Sequence, residues 1–275
     1  MEKPYFEGWY FKHQKGDDMI AFIPGKADSG AFVQMIAPTG SRFFAMPELT
    51  HQDGCIQVGN CIFSSAGCKV DLPGVHGEIT YAALTPLKSD IMGPFRFFPM
   101  ECRHSIISMS HSLYGSLCLD GQMYHFDGGM GYIEKDSGTS FPRAYQWVQC
   151  SDFPFPCSIM VSIARIPFYG IRFRGCICAI VLDGKHYRFA TYDGARILVS
   201  SKEHIRLAQG QSLLEIDLKP SPSGHLLYAP KLGQMSDTIR ECCNAEIQVR
   251  LWEKGALILD ASSQHAACEF VTPEK

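Results

Sequence analysis

A chain of 275 residues with 46% hydrophobic and 19% charged side chains has enough apolar material for one large or two ordinary domains, without disulfide or metal staples. Its formal charge of −3, with acids and bases interspersed and no basic block, argues against a nucleic-acid surface. No apolar run reaches the roughly twenty residues of a membrane helix, and the opening MEKPYFEGWY has neither the basic nor the apolar region of a secretion signal. The expectation is a cytoplasmic chain without a transmembrane segment, for which peripheral membrane contact stays open.

The first predicted strand is PYFEGWYFK, residues 4–12. Strand alternation puts Tyr5, Glu7, Trp9 and Phe11 on one face and Phe6, Gly8, Tyr10 and Lys12 on the other. Glu7 thereby sits among aromatic rings, where a carboxyl group either meets a buried cation, with Arg172 and Arg174 as candidates, or stays protonated with a raised pKa. Short runs rich in aromatic and branched residues follow, DMIAFIP, AFVQMIA and HGEITYAAL first, then CSIMVSIARI, GIRFRGCICAIVL, KHYRFATY, ARILVSS, AEIQVRLW and GALILDA. Glycine, proline and aspartate punctuate them. Asp120-Gly121, Asp183-Gly184 and Asp193-Gly194 each join two such runs and predict hairpins. A short helix is expected at SDTIRECC, capped by Ser236 or Asp237, and a loop over SPSGHLLYAPKLGQMSD.

The fold class is therefore all-β, with two β-barrels or curled β-sandwiches and very little helix. Strand patterning is weakest around EKDSGTSFPRA, which predicts domains over residues 1–140 and 141–275.

The second informative stretch is GYIEKDSGTSFPRAYQWVQC, residues 131–150. In a strand, Tyr132, Glu134 and Asp136 share a face with Lys135 opposite, and after the turn Tyr145, Trp147 and Gln149 share another. Acids and aromatics recur together here, as around Glu7. Ion pairing among Glu134, Lys135, Asp136 and Arg143 is the structural alternative to catalysis. The twelve cysteines include no Cys-x-x-Cys pair and are expected to be free thiols. His76-x-Glu78 and His125-x-Asp127 each offer two potential ligands without a third, and His104 and His111, seven apart, are expected to face opposite ways, so no metal is expected.

The two stretches, PYFEGWYFK followed by GYIEKDSGTSFPRAYQWVQC, resemble the tocopherol cyclase family, whose members are similar to the calycin group of lipocalin-like proteins. The matching positions are Glu7, Trp9 and Tyr10 in the first motif, and Glu134, Lys135, Gly138, Phe141, Pro142, Trp147, Gln149 and Cys150 in the second. Ser137 stands where relatives usually carry tryptophan, a departure that bears on the substrate more than on the architecture. The resemblance implies two packed lipocalin-like barrels and cyclisation of a prenylated phenol or quinol, the phenol oxygen adding across a prenyl double bond to close a chroman ring. It implies no cofactor. Such a reaction needs an acid to protonate the alkene, aromatic faces for the tertiary cation and exclusion of water. Glu134 is the preferred donor, with Asp136 and Glu7 as the other candidate catalytic acids. Trp9, Tyr10, Tyr132, Phe141, Tyr145, Trp147 and Gln149 are the expected contacts of an apolar, prenylated aromatic ligand. A lipocalin-like carrier and an isoprenoid hydratase are the competing readings.

Overall fold

Alternation of apolar and polar residues builds two large antiparallel sheets, described in a computed structural model over residues 4–168, 170–219 and 224–272. The first sheet takes β1 (Phe6–Lys15), β2 (Asp18–Ala27), β3 (Gly30–Ala37), β4 (Gly40–Met46), β5 (Leu49–Gln52), β6 (Cys55–Val58), β7 (Cys61–Ser64), β8 (Gly67–Leu72), β9 (Val75–Ala82), β10 (Cys102–Leu119), β11 (Gln122–His125) and β12 (Met130–Gly138). The second takes β13 (Tyr145–Cys150), β14 (Cys157–Phe168), β15 (Ile171–Leu182), β16 (Lys185–Ala190), β17 (Arg196–Ser200), β18 (His204–Gln209), β19 (Ser212–Lys219), β20 (His225–Lys231), β21 (Gln234–Glu253) and β22 (Ala256–Val271). Two 3-10 turns, Gly93–Phe97 and Thr191–Asp193, are the helical elements among the described residues.

Contacts divide the chain into two compact units, one of Met1–Leu87, Cys102–Phe141 and Leu227–Thr238, the other of Lys88–Glu101, Pro142–Leu226 and Ile239–Lys275. Each has its own core. In the first, Trp9 and Phe11 of β1, Phe22 of β2, Phe63 of β7, Leu117 of β10 and Ile133 of β12 share one buried cluster. A single sheet whose distant strands share one core is curled. The second core draws on β13–β16, β18, β19, β21 and β22 and includes Cys150, Cys157, Cys176, Cys178, Cys242 and Cys268. No disulfide joins any of the twelve cysteines, and these six pack as small hydrophobes.

The first sheet runs β4-β3-β2-β1-β12-β10-β9-β8-β7-β6-β5, with β11 beside β10. That order makes β1 and β12 direct neighbours, so the two sequence motifs lie side by side. Asp120-Gly121 and Asp183-Gly184 turn hairpins with positive φ at both residues, as expected.

Three local expectations need correction. Asp193-Gly194 closes a 3-10 turn, and the strands on either side of it, β16 and β17, end opposite edges of the second sheet's path. SDTIRECC is part of the long strand β21, whose bulges between Cys242 and Ile247 interrupt the alternation that would have marked it. The stretch read as a loop is a hairpin, β20 into β21, turning at Leu232-Gly233 with φ of 49° and 76°; its Ser221–Ser223 lie outside the described residues.

Candidate active site

Antiparallel register pairs Gly8 with Asp136, Trp9 with Lys135, Tyr10 with Glu134 and Lys12 with Tyr132. The two faces of this strand pair therefore carry different chemistry. One holds Glu7, Trp9 and Lys135 together with the first core. The other holds Phe6, Tyr10, Lys12, Tyr132, Glu134 and Asp136.

On the core face, Lys135 Nζ donates to Glu7 Oε2 at 2.7 Å and lies 4.2 Å from the Trp9 ring centroid, and Lys26 Nζ sits 3.1 Å from Glu7 Oε1. Burial pushes the Glu7 carboxyl up, but the hydrogen bonds and charges of Lys135 and Lys26 outweigh it, and its pKa is lowered. Glu7 is thus held as a carboxylate. Of the two expectations for Glu7, a cation partner or a retained proton, the structure has the first, and the cations are Lys135 and Lys26, not Arg172 or Arg174. Trp9, 2% exposed, belongs to this arrangement and not to the other face.

On the opposite face, Glu134 is 6% exposed and Tyr132 fully buried, and the Tyr132 hydroxyl donates to Glu134 Oε2 at 2.5 Å. Burial, with the Glu134 charge and hydrogen bond next, drives the Tyr132 pKa well above its ordinary value, so the phenol keeps its proton. His104 arrives from β10, where it is the register partner of Asp136. Its Nδ1 lies 2.9 Å from Asp136 Oδ1 and its Nε2 3.4 Å from Glu134 Oε2. One imidazole thereby bridges two carboxyl groups. With Nδ1 on Asp136, Nε2 is the ring nitrogen that faces Glu134 in either tautomer.

Tyr10 and Tyr132 approach edge to face with centroids 6.4 Å apart, and Phe6 meets Phe141 in the same way at 5.5 Å. Phe141 N–H donates to Pro230 O at 3.2 Å, so the hairpin tip of β20 and β21 fixes the second motif's turn within the first unit. Gly25, Gly8, Asp136 and His104 form one register row across β2, β1, β12 and β10. A Cβ added at Gly8 would meet nothing closer than 3.7 Å, so this glycine leaves room beside Asp136.

Tyr145, Trp147 and Gln149 share one face of β13 in the second sheet, opposite its core residues Val148 and Cys150, and are 8%, 6% and 0% exposed. Tyr145 OH donates to Glu269 Oε2 at 2.5 Å, a partner that sequence reasoning did not find. The sequence offers His104 only as a possible metal ligand. No spacing could reveal it, because its place depends on the register of β10 against β12, which has shifts between Ile106 and His111.

The ligand atoms of His104, Glu134 and Asp136 lie within 4.8 Å of one another, the metal-type cluster among the described residues. Its two ring nitrogens point at different carboxyl groups, whereas a chelating ring would direct one nitrogen at an ion shared with both. The geometry is that of an imidazole hydrogen-bonded to Asp136 and set within 3.4 Å of Glu134. Of the other pairs, His76 and Glu78 have Asp71 and Lys69 as strand partners and line an open cleft of about 620 Å³, while Asp127 accepts the Gly115 N–H at 2.9 Å in a turn.

The family model described as tocopherol cyclase-like matches residues 75–271. A probable chloroplastic tocopherol cyclase of Oryza sativa subsp. japonica is 27% identical over 205 residues, 68% of this chain and 43% of the rice protein. The chloroplastic tocopherol cyclase of Zea mays is 29% identical over 191 residues, 62% of this chain and 40% of the maize protein. The chain thus matches about two-fifths of the length of these relatives. Among solved structures, CghA with Sch210972 superposes with a TM-score of 0.66 at 12% identity, covering 98% of this chain and 89% of that one. Kievitone hydratase from Nectria haematococca does so at 0.53 and 13%, with 98% and 89% covered. These likenesses concern the lipocalin-like fold. A family match that spans most of the chain, on a fold of two curled antiparallel sheets, makes this protein a member of the tocopherol cyclase-like family.

Proposed function

We propose that this protein is a cofactor-independent cyclase that closes a ring on a prenylated phenol or quinol by adding the phenol oxygen across a prenyl double bond. The observation that carries the reading is the row Tyr132–Glu134–His104–Asp136, buried at Tyr132 and Glu134 and half-buried at His104 and Asp136, in which an imidazole lies between two carboxyl groups. Family membership supports the reaction class. Glu134 gives its proton to the alkene and a tertiary cation forms beside the rings of Tyr10 and Tyr132. The phenol oxygen attacks that cation and loses its proton to His104, which Asp136 stabilises while it is charged. His104 then returns the proton to Glu134. One proton enters the substrate and one leaves, so the reaction is an isomerisation that needs no co-reactant.

Substitution of Glu134 by glutamine tests the reading, because the amide keeps the shape and cannot donate that proton. With a geranylated hydroquinone as substrate and mass spectrometry as the readout, turnover should fall by about 10²-fold or more while ligand binding survives. Normal turnover would move the donor elsewhere. Binding by the wild type without turnover would favour the carrier reading.

A further inference from the structure

The stretch IMGPFRFFPM, residues 91–100, carries its most exposed aromatic rings at Phe97 and Phe98, 74% and 37% exposed. Slack in the chain does not explain this. Arg188 Nη1 and Nη2 donate to the carbonyls of Asp90 and Ser89 at 2.8 and 2.7 Å, and Tyr192 OH donates to Ile91 O at 2.8 Å. Ile91 is 1% exposed, Phe95 stacks on Phe173 at 6.0 Å, and Gly93, at φ 53°, is held where an added Cβ would strike the Tyr192 ring. The loop is anchored at its base and directs its tip outward.

Beside it ends the β14–β15 hairpin. Arg165 and Arg174 are direct register partners, as are Pro167 and Arg172. The three arginines are exposed, on the strand face that leads into Cys176 and Cys178, while Phe173 takes the other face and reaches the loop. Like charges placed opposite each other in a ladder are unfavourable. Residues 153–182 contain no aspartate or glutamate, and among the described residues no carboxylate lies within ion-pair distance of Arg165, Arg172 or Arg174. Arg96 adds a fourth guanidinium, 4.5 Å from the Phe97 centroid. Glu101, which faces Arg143 and Arg172, has its pKa raised by burial despite both.

We propose that this end of the second unit docks on an anionic phospholipid bilayer, Phe97 and Phe98 entering the interface and Arg96, Arg165, Arg172 and Arg174 facing lipid phosphates. Repulsion between paired arginines is relieved by many mobile anions, and rigid aromatic tips seat in a bilayer without a complementary pocket. Stable attachment to a membrane surface takes two signals, apolar and basic, and both are present here. The inference does not depend on the cyclase reading.

The test is co-sedimentation of the full chain with vesicles of phosphatidylcholine containing phosphatidylserine, against vesicles of phosphatidylcholine alone. Binding should require the anionic lipid and weaken with salt. Replacing Phe97 and Phe98 together by serine should lower affinity at least about tenfold, and Arg165→Ser or Arg174→Ser about fivefold each. Arg96→Ser, on the loop, keeps the test independent of hairpin folding. No binding to either vesicle, or equal binding by the double phenylalanine variant, would overturn the proposal. So would concentration-dependent self-association in sedimentation velocity that disappears on replacing Phe97, which would make the patch a protein interface.

Discussion

Glu7 and Glu134 occupy neighbouring strands, both nearly inaccessible to water, on opposite faces of the same sheet. Glu7 is clamped by two ammonium groups. Glu134 is met by a phenol and an imidazole. Burial disfavours a charge at both, yet the partners differ: two ammonium groups fix a charge on Glu7, whereas the phenol and the imidazole beside Glu134 bring no permanent one. The core face of β1 holds a fixed charge, and the proposed function gives its opposite face the work of passing a proton.

The comparison breaks most directly if the two glutamates behave alike. Glu134→Gln should cost about 10²- to 10⁴-fold in turnover and little stability. The second largest effect belongs to the core face, where His13 continues the row of Glu7, Trp9 and Phe11. His13 Nδ1 lies 3.0 Å from Ile20 O and Nε2 2.6 Å from Tyr81 OH, and the His111 ring lies tilted against Tyr81 with centroids 4.5 Å apart. Burial lowers the pKa of His13 from 6.5 to about 4 and, with the His13 charge, that of His111 to about 3. The unfolded chain therefore takes up these protons first. The associated stability is complete above about pH 6.5 and is lost as pH falls towards 4, by roughly 3 kcal/mol for His13 alone. Chemical denaturation across that range checks it. A flat stability profile would contradict two neutral buried histidines.

Glu7→Gln should leave turnover within about twofold while lowering stability by roughly 1–3 kcal/mol, since Lys135 loses its anionic partner. A large loss of turnover with unchanged melting would make Glu7 the donor after all. Gly8→Val probes the other face by filling the room beside Asp136, and a rise in KM of about tenfold with the fold intact is expected if substrate passes there. The smallest effect expected is that of a chelator, with no change in melting temperature or turnover. A clear drop would turn the His104, Glu134 and Asp136 cluster from a proton chain into a metal centre.

Much of this organisation was legible. Alternation alone separated Glu134 from Lys135 and gathered Tyr132, Glu134 and Asp136, and the same rule gathered Tyr145, Trp147 and Gln149. What alternation could not give was the identity of the neighbouring strand. The sequence leaves Glu7 open between a paired and a protonated carboxyl group, because Lys135 is distant in sequence and Lys26 gives no sign of pointing at it. AEIQVRLW is legible as the second part of β21, and only its first part, SDTIRECC, escapes, because bulges near Cys242 and Ala245 imitate a change of period. The Leu232-Gly233 turn escaped because leucine is a poor predictor of positive φ.

The pairing of β1 with β12 also has a kinetic meaning. Tyr10 meets Glu134 across a loop of more than a hundred residues, while most strands of that sheet are joined to the next by short turns. Closing so long a loop carries a large entropy loss that is recovered only once many intervening contacts exist. The meanders on either side should form early and this seam late. Of the contacts described, the Lys135–Glu7 ion pair and the Tyr10–Tyr132 ring contact cross this seam and would form only in the final folding step, whereas Lys26 reaches Glu7, and His104 reaches Asp136, within the meanders on either side.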